Sequence, residues 1–169
     1  MKRLLAVFII STICLVAENN IDKPFKVKEV YTLNYDKNTT SLVRHLKVYK
    51  NPKWVAKIKT RDNQEVYFCS PKSMFEFYHR PAKWSSVGIK SEKDFAQIVV
   101  TDYLTNKAIG ARDAYFIYGS NIISPAGDDL VAVETKEKAD MFSKKYNGKR
   151  IFKFNEVPDA LIKLLNGRI

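Results

Sequence analysis

Few side chains here could do chemistry on their own, and Cys69 leads them. It closes Glu65-Val66-Tyr67-Phe68-Cys69, which reads as a strand, and precedes Ser70-Pro71, which reads as a helix N-cap and first turn. A thiol beside a helix N-terminus can ionise more readily than a free one, and the thiolate is a soft metal donor. The same position equally suits a small buried apolar group. Met74 falls on the expected helix, where packing is its ordinary use, and Met141 reads the same way on a later helix. His45 and His79 are the two histidines. Asp102, at a strand end, reads as a turn former or lysine partner. Asp128-Asp129, after Gly127, reads as a solvated loop. No His-Glu-x-x-His, Gly-x-Ser-x-Gly or phosphate loop occurs, so an enzyme is not expected.

The elements that must position these residues repeat one order. Trp54 to Thr60 alternates as a half-buried strand, Arg61-Asp62-Asn63-Gln64 is turn chemistry, and Glu65 to Cys69 completes a hairpin. A helix from Pro71 to about His79 puts Met74, Phe75, Phe77 and Tyr78 on one face, and Pro81 limits its length. Phe95 to Val100 is the next strand. The second half follows suit. Ala114 to Tyr118 and Leu130 to Val133 are strands around a loop. Thr135 caps a helix from Lys136 to Tyr146 that buries Ala139, Phe142 and Tyr146, and Arg150 to Phe154 is the closing strand. A last helix opens at Pro158 and packs Leu161, Leu164 and Leu165. The expected fold class is α+β: two ββαβ units, at 41–101 and 102–169, with helices on mixed sheets.

Composition sets the compartment. The 169 residues, 46% hydrophobic, suffice for one modest domain or two small ones sharing a core. Lys2 and Arg3 precede an uncharged apolar run, Leu4 to Ala17. As a helix it would span about 21 Å, short of a ~30 Å hydrocarbon core. Residues 1–17 therefore read as a secretory signal cut after Ala17, with an uncleaved anchor as the alternative. Ile13 before Cys14 argues against lipidation. Without the leader Cys69 is the single cysteine and has no internal disulfide partner. The net charge of +11 is spread along the chain, so a nucleic-acid partner is not expected, while an anionic membrane surface or acidic partner is compatible. Residues 18–40 are polar and lysine-rich, a tail or early edge segment. Within them, Asp36-Lys37-Asn38-Thr39-Thr40 contains an Asn-x-Thr acceptor, with an acid two residues before as in bacterial N-glycosylation.

The ordered segments also form a family pattern. Val100-Thr101-Asp102-Tyr103 leads to Ala111-Arg112-Asp113-Ala114-Tyr115-Phe116-Ile117-Tyr118-Gly119-Ser120, and then to Ser124-Pro125-Ala126-Gly127. Pro52-Lys53-Trp54 and the run from Tyr67-Phe68 into Pro71-Lys72-Ser73-Met74-Phe75 precede them. Over residues 41–157 this set resembles the NosL family, periplasmic copper carriers that serve nitrous oxide reductase. The resemblance implies a periplasmic protein that binds Cu(I) and passes it, by ligand exchange, to nitrous oxide reductase or its copper-site assembly machinery. The ligands depart from the pattern. Where the family has Cys-x-x-Cys-Gly-Met, this chain has Ser41-Leu42-Val43-Arg44-His45-Leu46, and the loop methionine is Ala126. Cu(I) favours thiolate and thioether donors, so the candidate replacement ligands are Cys69, Met74 and His45. The loss of four soft donors also fits a metal-free relative that binds an envelope protein through the same scaffold.

Overall fold

A computed structural model describes residues 29–168. The expected signal segment, Cys14 and residues 18–28 lie outside the described residues.

The first unit is built on a hairpin. β1 (Ala56–Thr60) and β2 (Glu65–Phe68) pair antiparallel, with Ala56 opposite Phe68. The tight turn between them uses Asn63 at φ 67°, a left-handed conformation that asparagine tolerates. Ser70 then caps α1 (Pro71–His79): its side chain accepts from the Ser73 N–H, and Pro71 sits where no N–H is needed. β3 (Phe95–Thr101) returns along the other side of β1, and β4 (Ala108–Gly110), past the boundary expected at 101, adds to β3, giving the order β2-β1-β3-β4. The second unit has β5 (Tyr115–Tyr118), β6 (Leu130–Val133), α2 (Lys136–Tyr146) and β7 (Arg150–Lys153), in the order β6-β5-β7. α3 (Asp159–Leu165) follows.

Every strand pairing is antiparallel, so the sheets are not mixed as expected. The reason is shared by both units. The strand after the helix does run parallel to the strand before it, but the unit's first strand stands between them. The connection between β3 and β4 meets the edge strand β6 where the Tyr103 N–H donates to the Ala132 carbonyl at 2.9 Å.

One core spans both units. Ile58, Phe68, Met74 and Phe75 from the first pack with Phe116, Leu130 and Phe152 from the second. The Phe75 ring lies 5.0 Å from those of both Phe116 and Phe154. Each such ring removed from water contributes roughly 1.5–3 kcal/mol. Strand alternation sends Tyr67 to the opposite face, where it packs with Val48, Val55, Leu33 and Tyr35. Residues 29–35 thus clasp the outside of the first sheet. Gly110 lets the Tyr31 ring lie close there: a Cβ would stand 2.5 Å from it and would make that ring swing aside.

Two packing expectations change. Met141 is 62% exposed, because Ala139 and Phe142 already define the inward face of α2. In α3 the fully buried residue is Ile162, and Leu164 is exposed. Among the described residues no helix is long and apolar enough to cross a membrane.

Candidate metal centre

The segment Ser41–Leu46 folds as a tight turn on the edge of β2, held there by the Leu42 N–H donating to the Tyr67 carbonyl at 2.9 Å. Inside it, the Ser41 carbonyl accepts from the His45 N–H at 3.0 Å, and Ser41 Oγ accepts from the Leu46 N–H at 3.1 Å. His45 has φ 55°, in the left-handed region that glycine fills most easily. Glycine is the residue the family pattern has at this step. His45 is exposed.

Cys69 is buried just past β2, beside the start of α1. Its Sγ lies 4.0 Å from Ser73 Oγ. Burial pushes the thiol pKa up, and the hydroxyls of Ser41 and Ser73 only partly offset this. Position 69 therefore favours the neutral thiol, although a helix N-terminus stands nearby. Met74 is fully buried in the apolar core with Phe68 and Phe75. The three expected ligands thus have different surroundings: a pocket of serine hydroxyls, a hydrocarbon core and solvent. Among the described residues no three His, Cys, Asp or Glu side chains form a group able to hold a metal.

Cations stand at or against two of the four positions where donors are missing. Arg44, at the place of the second cysteine, lies 3.5 Å from the buried Glu76 carboxylate and donates to Asn166. Glu76 also receives Arg168 at 2.6 Å, Asn166 at 3.0 Å and Lys83 at 3.8 Å. At the second-unit loop, Ser124 and Gly127 exchange backbone hydrogen bonds at 3.1 and 3.0 Å. The Ala126 carbonyl accepts from Lys72 Nζ at 2.7 Å, and the Leu165 carbonyl takes the same ammonium at 3.1 Å. Lys72 is only 1% exposed, and burial lowers its pKa despite the nearby Asp129.

Asp129 is the anchor of this loop, not a solvated residue. It is buried, accepts from the Lys72 N–H at 2.7 Å and the Leu130 N–H at 2.8 Å, and takes the Ser124 hydroxyl at 2.8 Å. Burial pushes its carboxyl pKa up against these hydrogen bonds. It thereby satisfies an N–H in the first turn of α1 from the other unit. Sequence reasoning missed Lys72, Glu76 and Asp129. Lys72 and Glu76 stand four apart on a helix, a spacing that carries no signal of burial. The available signal was Asp129 directly before the four apolar residues of β6.

The family model for NosL matches residues 32–162. The chain belongs to the NosL family. Its structure superposes on the crystal structure of the copper chaperone NosL from Shewanella denitrificans with a TM-score of 0.66 at 20% identity. That match covers 78% of this chain and 99% of the other. At this identity the likeness establishes the NosL fold. No curated protein sequence matches the chain. The arrangement is thus a NosL scaffold with one thiol, serine hydroxyls beside it, and a guanidinium and an ammonium at two of the expected donor positions.

Proposed function

We propose that the chain is a non-catalytic, periplasmic accessory protein of NosL type. It handles Cu(I) as cargo for assembly of the copper centre of nitrous oxide reductase, and Cys69 is the residue that holds the ion. The observation that carries this reading is the place of buried Cys69, at the end of the strand on which the Ser41 turn is held. Ser41 occupies the first cysteine position of the family pattern, and its hydroxyl helps to hold the thiol pKa down against burial. A soft donor thus stands beside the inherited place although the inherited residue is gone. Binding would exchange the thiol proton for the metal, so uptake strengthens as pH rises toward the raised thiol pKa. Met74 and His45 are weaker candidates, one enclosed by the core and the other at the surface.

A second reading has its own observation. Arg44 and Lys72 place positive charge at two expected donor positions, which disfavours a cation and suits a metal-free module that binds a protein of the same assembly.

Titration of the exported chain with Cu(I) against a competing chelator separates the two. Tight one-to-one binding that is lost in Cys69→Ser supports the carrier. Binding retained in that variant removes Cys69 from the site. No binding leaves the metal-free module.

A further inference from the structure

The turn at residues 36–40 has no part in the metal centre, yet it is built around an acceptor sequence. Of the eleven asparagines in the chain, Asn38 alone has serine or threonine two residues on. Asp36 supplies the acid two residues before it, and proline is absent from both intervening positions. Geometry presents this pentapeptide. Asp36 Oδ1 accepts from the N–H groups of Asn38 at 2.9 Å and Thr39 at 2.7 Å, and from the Thr39 hydroxyl at 2.8 Å. These bonds hold the Asp36 carboxyl below the usual carboxylate range, with the Thr39 hydroxyl the largest cause. Lys47 Nζ donates to the Asn38 carbonyl at 2.6 Å and to Thr40 Oγ1 at 3.0 Å, which fixes the other side of the turn. Asp36, Asn38 and Thr40 are all exposed. The Asn38 side-chain amide takes part in none of these bonds and the residue is exposed, which leaves its nitrogen open to a reagent.

We propose that Asn38 is an N-linked glycosylation site, modified by a bacterial-type oligosaccharyltransferase that requires the acid of Asp36. The co-substrate is a saccharide carried on a lipid diphosphate. Asn38 Nδ2 forms a bond to the anomeric carbon, the bond from that carbon to the diphosphate oxygen breaks, the lipid diphosphate departs with the electron pair, and the amide nitrogen loses one proton. The fixed turn lowers the ordering cost of presenting the three recognised side chains together. The proposal rests on export through the N-terminal segment and is independent of whether copper is bound.

The test is to express the full chain in a bacterium that carries such a transferase and its lipid-linked saccharide. The exported protein is then read by intact mass and peptide mapping. The expected result is one added saccharide on the peptide containing Asn38, absent from Asn38→Gln and Thr40→Val and reduced to background in Asp36→Ala. All three side chains are exposed, and circular dichroism checks that each variant keeps the wild-type fold. An unmodified exported chain beside a modified control acceptor overturns the proposal, as does a saccharide on another residue or retention of the chain in the cytoplasm. Full modification of Asp36→Ala overturns the part assigned to the acid.

Discussion

Asp102, just past β3 of the first sheet, and Asp129, just before β6 of the second, are both buried aspartates, yet their surroundings push them in opposite directions. Burial raises both. At Asp102 it is overcome by Lys138 at 3.1 Å together with the N–H groups of Leu104, Thr105 and Glu134, and the carboxyl pKa ends below its usual value. At Asp129 the hydrogen bonds fail to overcome burial, and the pKa ends above. The ammonium of Lys72 is spent on two carbonyls instead. Charge state is therefore set by where the cation aims, and burial alone does not decide it.

The largest test of this contrast is Asp102→Asn. Losing the charge that faces Lys138 should cost about 3 kcal/mol, read from urea unfolding midpoints. Next comes Lys72→Met. Leaving two carbonyls without their donor should cost about 1 kcal/mol, because the apolar stem still packs. A loss several times larger would mean that Asp129 is ionised and needs the ammonium. Asp129→Asn should change stability least, within about 1 kcal/mol, since the amide still accepts from the Lys72 N–H. Equal losses in the two Asn variants would break the comparison. The finest discrimination is by pH. The lowered pKa of Asp102 gives stability that is complete above the unfolded value of about 3.9 and is lost as pH falls through the folded value. The raised pKa of Asp129 gives stability present below about 3.9 and lost as pH rises through its folded value. Stability scans across acidic pH should therefore show a flatter acid limb in Asp102→Asn, and in Asp129→Asn a smaller decline on the rising side.

The elements were legible where local chemistry decides them. Ser70-Pro71 marked the start of α1, Thr135 capped α2, and the apolar run of β6 ended where expected. β4 was not seen, because three residues carry no period. The antiparallel sheets were misjudged because sequence order does not say which strand stands in the middle. The candidate site was harder to read. Cys69 was found by its type and by its place before a cap. Lys72, Glu76 and Asp129 take their meaning from partners more than fifty residues away, and no spacing rule reaches that far.

Glu76 lies in the first helix but is answered in part by Asn166 and Arg168, the latter 92 positions further on. While the polypeptide is still being synthesised, that carboxylate has to stay hydrated or be half-matched. The front of the molecule can rehearse its shape but cannot lock it until the back has emerged. A trimmed tail should therefore be felt ninety residues upstream.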